Sequence, residues 1–132
     1  MVARSSYDYA LIQLVPRVER AERINLGVVL YSLTRDFLAT RTTLDEPRLR
    51  AFWPTIDLPL VTTHLAAFDR ISLGDPTAGP IARLTQRERF HWLVAPRSTI
   101  LQTSAVHSGL CDDPALTLTR LFERLVACPD SP

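Results

Sequence analysis

The run Ile24–Ser32, INLGVVLYS, constrains this chain more than any other stretch. It is nearly continuous in apolar residues and of strand length, whereas a strand with one wet face alternates polar and apolar positions. The run therefore reads as a central strand buried on both faces. Gly27 inside it marks a bulge or a close approach of backbone. Asn25 brings a polar side chain into the run and must find a hydrogen-bonding partner there.

The flanking segments read as partners for this strand. Tyr7–Val15, YDYALIQLV, is rich in aromatic and branched residues and stops at Pro16. Phe37–Arg41 reads as a third strand after a short turn, and such short connections predict an antiparallel meander. Asp45-Glu46-Pro47 is a helix start. A second start at Asp57 precedes Leu58, Val61, Leu65 and Phe68, which share one helical face. Ser72–Pro80 is a loop rich in glycine and proline. Farther on, Phe90–Ala95 alternates as a strand does, and Thr99–Val106 is a second, more polar strand pairing with it across the turn Ala95–Thr99. The clearest helix follows, capped by Asp113, opened by Pro114 and striped by Leu118, Leu121, Phe122, Leu125 and Val126. The sum is one α+β domain over residues 1–132: an antiparallel β-sheet of about five strands, in the order βββαα-ββα, with helices packed on one face.

Composition narrows the chemistry. The chain has 132 residues and a net charge of +1, so no general attraction to nucleic acid or an acidic membrane is expected. All fifteen basic residues are arginine. This rules out a Schiff-base lysine, a lysine base and a phosphate-loop lysine, and leaves guanidinium groups suited to carboxylates and phosphates. No stretch reads as a signal peptide or a membrane span, and a cytoplasmic location is expected. Cys111 and Cys128 flank the final helix, which holds them about 20 Å apart. That is far beyond the roughly 7 Å that a disulfide allows.

The residues with chemistry to offer gather in two regions. In the turn, Arg97 can fork onto an oxyanion with help from Ser98 and Thr99, although Ala-Pro-Arg-Ser-Thr is also ordinary turn chemistry. Arg89, His91, His107, Asp112 and Asp113 are expected at the opposite end of the same hairpin. The charged loop before the central strand adds Glu22, Arg23 and Asn25, either as local ion pairs or as a recognition edge. Neither HExxH nor CxxC occurs, GxSxG is absent, and no metal or cofactor is expected.

Two long motifs give a resemblance. YDYALIQLVPRVERAERINLGVVLY, through Tyr7, Tyr9, Val15, Pro16, Glu22, Asn25, Gly27 and Val28, resembles the amino-terminal signature of the bacterial family catalogued as domain of unknown function 3037. ERFHWLVAPRSTILQTSAVHSGLCDDP resembles the carboxy-terminal motif of its actinobacterial branch. The resemblance implies no assigned activity. Its members are often encoded beside HipA-like kinases, which implies an accessory role with such a protein as partner. The expected function is a small cytoplasmic binding or accessory domain, with a homodimer possible. The alternative is a small enzyme or sensor acting on a phosphorylated or carboxylated small molecule through Arg97 and a histidine base.

Overall fold

A computed structural model describes residues 4–97 and 99–127. Among the described residues, five strands form one antiparallel sheet. Strand β1 (Ser5–Leu14) pairs on one side with β2 (Ile24–Ser32), which pairs in turn with β3 (Phe37–Thr42). The other side of β1 is shared by two short strands, β4 (Leu101–Thr103) and β5 (His107–Cys111). Ser104 spans the gap between them, giving its N–H to the Leu11 carbonyl and accepting the Leu11 N–H on its hydroxyl at 2.8 Å. The α+β class, the strand number and the meander agree with the sequence reading.

Helices α1 (Glu46–Phe52), α2 (Leu58–Leu73) and α3 (Gln86–Leu93) cover one face, where Val61, Leu65, Phe68, Phe90 and Leu93 meet Ala10, Ile12, Leu14, Val29 and Tyr31. Helix α4 (Pro114–Leu125) lies on the opposite face, with Leu118, Leu121 and Phe122 against Val28 and Leu30. The expectation of helices on one face thus holds for α1–α3, and α4 departs from it. The departure has a simple cause. A strand apolar on both sides needs two covers, and Val28 and Leu30 face away from the first three helices.

The register explains Gly27. A bulge places Leu26 and Gly27 opposite Ile12, and a Cβ on Gly27 would sit 2.6 Å from Thr42 Cγ2 and 2.7 Å from the Arg41 carbonyl oxygen. Gly27 therefore serves the packing of β2 against β3.

The helix starts at Asp45, Asp57 and Asp113 are as read from the sequence: each side chain accepts from a backbone N–H of the first turn. The segment Phe90–Ala95 corrects the sequence reading. It is helical through Leu93, not a strand, and Thr99–Val106 holds only the three residues of β4. Thr85 and Glu88 form a reciprocal capping box that starts α3, and Phe90 and Leu93 enter the core at helical spacing. Ala95–Thr99 consequently joins a helix to a strand rather than closing a hairpin.

Candidate functional site

The end of α3 builds the site. Beyond Leu93 the chain turns at Pro96 and lays Arg97 back over the helix it has just left. The Arg97 guanidinium carbon lies 4.6 Å from the Trp92 ring centroid and 5.3 Å from that of Phe68 on α2. Its Nη2 donates to the Trp92 carbonyl oxygen. Burial between the rings pushes the guanidinium pKa down from its ordinary value, with no acid offsetting the change. Among the described residues no carboxylate forms an ion pair with it. Arg97 is thus a cation fixed in direction, partly stripped of water and uncompensated.

It lines a groove of about 260 Å³. Gln102, Thr103 and Ser104 bring polar groups from the β4 side, and Val94, Pro96, Ala105 and Val106 supply the apolar walls. Thr103 Oγ1 donates to the Val94 carbonyl at 3.3 Å, which ties α3 to β4 across the floor. Thr99 closes the turn through its hydroxyl on the Leu101 carbonyl at 2.7 Å and takes no part in the lining. Ser98 lies outside the described residues.

The remaining candidates are dispersed. Arg89 donates to the Leu84 carbonyl at 2.6 Å and packs against the Gly74 cap of α2, near the negative end of that helix. His91 is an exposed residue of α3, adjoining Phe90. His107, on β5, is exposed with its ring 5.3 Å from that of Tyr9; it follows Val106 in sequence but does not line the groove. Asp112 pairs with Arg4 at 3.8 Å. Asp113 spends its carboxylate on the N–H groups of Ala115 and Leu116. These aspartates line a separate cavity of about 360 Å³ at the start of α4, which includes neither histidine. Among the described residues no three His, Cys, Asp or Glu side chains converge as a metal site. Cys111 is buried, and Cys128 lies outside the described residues.

The loop before β2 divides in two. Glu22 pairs with Arg20 and helps line a cavity of about 340 Å³ with Arg17, Phe52 and Trp53. Its arginines already have acid partners, since Arg17 pairs with Glu19. Arg23 and Asn25 instead belong to a chain of hydrogen bonds. Arg23 Nη1 donates to Gln13 at 3.1 Å, Gln13 donates to Asn25 at 2.9 Å, and Asn25 Nδ2 donates to the Leu125 carbonyl at 3.0 Å. Arg48 holds the neighbouring Val126 carbonyl at 3.3 Å. Asn25 and Arg48 thereby satisfy carbonyls that the end of α4 leaves without helical partners.

Sequence reasoning missed two features here. Trp92 as a platform for Arg97 was hidden by the strand reading of its segment, although Thr85-x-x-Glu88 signals the helix. A polar cluster of Thr40, Thr42, Asp69 and Ser72 between β3 and α2 carries no local motif, because its two threonines lie 27 to 32 residues from Asp69 and Ser72.

No helix among the described residues is long and apolar enough to cross a membrane. Comparison with curated proteins and with solved structures gave no match. The family model described as Protein of unknown function (DUF3037) matches residues 9–126, from the tyrosine-bearing first strand to the end of the helix clasped by Asn25, and the chain belongs to that family.

Proposed function

We propose that this domain binds a small anion, a carboxylate or a phosphate, on Arg97. One observation carries the reading: a guanidinium partly desolvated between Trp92 and Phe68, with no acidic partner among the described residues, lines an open groove. Desolvation of a cation is unfavourable until a counter-charge arrives, and an oxyanion can use the donors of the fork that Trp92 leaves over. Gln102 stands beside it with a second amide hydrogen beyond the one given to the Thr99 carbonyl.

The enzyme reading is weaker on the same geometry. A chemical step at Arg97 needs a base within reach of the bound anion, and neither His91 nor His107 lines the groove. We therefore favour an accessory domain, in a cytoplasmic setting, that senses or presents the anion. The partner we propose, on family resemblance alone, is a HipA-like kinase.

Thermal unfolding with phosphate, nucleoside monophosphates and small dicarboxylates, for wild type and Arg97→Ala, tests the site. A ligand at about 100 times its dissociation constant stabilises the fold by roughly 2.7 kcal/mol, and Arg97→Ala should abolish the shift. No shift with any of these anions overturns the reading. Consumption of a bound anion would replace it with the enzymatic one.

A further inference from the structure

Strand β3 is the outer edge of the sheet on the side away from Arg97. Thr43 N–H donates to the Leu26 carbonyl, and Thr42 stands opposite Gly27, so the odd-numbered residues of β3 bond to β2. The N–H and C=O groups of Leu38, Thr40 and Thr42 therefore point outward. No side chain or loop among the described residues bonds to these six groups. The edge has no proline and no bulge of its own, and Arg41 is its single charge.

A groove follows this edge beneath α2. Two neighbouring cavities, of about 380 and 240 Å³, share Thr42 and Asp69. Thr62, Ala66, Asp69 and Leu73 of α2 form one helical stripe along them, and Leu73 is 74% exposed. Asp69 accepts hydroxyl hydrogen bonds from Thr40 and Thr42, which aim its carboxylate at the edge. Among the described residues it forms no ion pair.

The geometry points to a docking groove for an extended peptide of a partner protein, added to β3 as a sixth, antiparallel strand and carrying an arginine or lysine opposite Asp69. Main-chain bonding to Leu38, Thr40 and Thr42 supplies affinity, and alternate side chains meeting Leu73, Ala66 and Asp69 supply selectivity. Charge separates this occupant from a second copy of the chain. Self-pairing about Thr40 would bring two Asp69 carboxylates to the two-fold axis. The only charge of β3, Arg41, adjoins the same groove but turns its guanidinium to the opposite face, over Phe122 and onto the Thr119 hydroxyl. This surface is independent of the Arg97 groove, and either reading can fail alone.

The test uses the full chain and three libraries of seven-residue peptides, with Arg, Glu or Ala fixed at the centre and the flanking positions randomised. We expect fluorescence anisotropy to show binding to the Arg library at least tenfold tighter than to the other two. Amide exchange should slow at Leu38, Thr40 and Thr42. Thr40→Pro removes an outward N–H and should abolish binding. Asp69→Asn, which keeps an acceptor oxygen for one threonine and gives the other an amide hydrogen to accept, should erase the preference for Arg and serves if the proline variant does not fold. Equal binding to all three libraries, no binding to any, or binding unaffected by Asp69→Asn overturns the proposal. So does a concentration-dependent dimer lost in Thr40→Pro, which would assign the edge to a second copy.

Discussion

Asn25 shows how one polar side chain in an apolar strand can fix the position of a helix a hundred residues away. Its amide bridges Gln13 and the Leu125 carbonyl, so truncation strands one buried and one half-buried group at once. Asn25→Ala should cost about 1–3 kcal/mol, read as a lower midpoint in urea unfolding. Arg23→Ala, at the exposed end of the same chain of bonds, should cost under about 0.5 kcal/mol. A neutral Asn25→Ala would mean that the clasp adds nothing to what the Arg48 bond and the apolar stripe already supply to α4. The need for a partner at Asn25 was legible in the sequence, because a polar group cannot remain unsatisfied in such a run. Which partner it finds was not legible, since the Leu125 carbonyl is set by where the last helix lands. The same holds for Arg97: its suitability for an oxyanion could be read, but its aromatic seat depends on Phe68 from another helix.

At the scale of elements, capping chemistry was the more dependable guide and alternation the less. Asp45, Asp57 and Asp113 each begin a helix where the sequence places it. Phe90, Trp92 and Val94 alternate, yet Thr85 and Glu88 commit the segment to α3. A short apolar alternation fits a strand, and it also fits a helix that buries Phe90 and Leu93 and leaves Trp92 half exposed. Because α3 is brief and polar on most of its surface, its cap matters. Thr85→Ala should destabilise the domain by about 1 kcal/mol. It should also loosen Arg97, whose platform is the last turn of that helix. Amide exchange at Trp92 and Leu93 should quicken in Thr85→Ala while exchange in β2 keeps its wild-type ranking; uniform quickening would show that α3 does not open independently.

Across the whole molecule, the central strand dictated two covers, and the final helix is the second. Its amphipathic stripe was plain in the sequence, whereas the face it would take followed only from Val28 and Leu30 pointing away from α1–α3. The absence of lysine also acts at this scale, because few groups titrate at alkaline pH. Tyr7 lies across Gly109, and burial, with Tyr9 adding to it, raises its pKa above the usual tyrosine value. An acid whose folded pKa is raised favours the folded state up to its unfolded pKa and loses that advantage as pH climbs through the folded value. Stability should therefore decline above about pH 10, and Tyr7→Phe should lessen the decline in thermal melts between about pH 9 and 11. An unchanged slope would place the loss at other groups.

The arrangement of strands around β1 sets an order of events during synthesis. Of the five strands it emerges earliest, and β2 can close one of its sides soon afterwards. Its other side waits for β4 and β5, which begin at Leu101 and His107. At roughly 5–20 residues per second the ribosome takes about 5–20 s to deliver them. Throughout that interval Leu11, Gln13 and their neighbours offer an open line of amides and carbonyls to any passing chain. A nascent domain of this topology has a built-in window of exposure, and the last third of its sequence closes it.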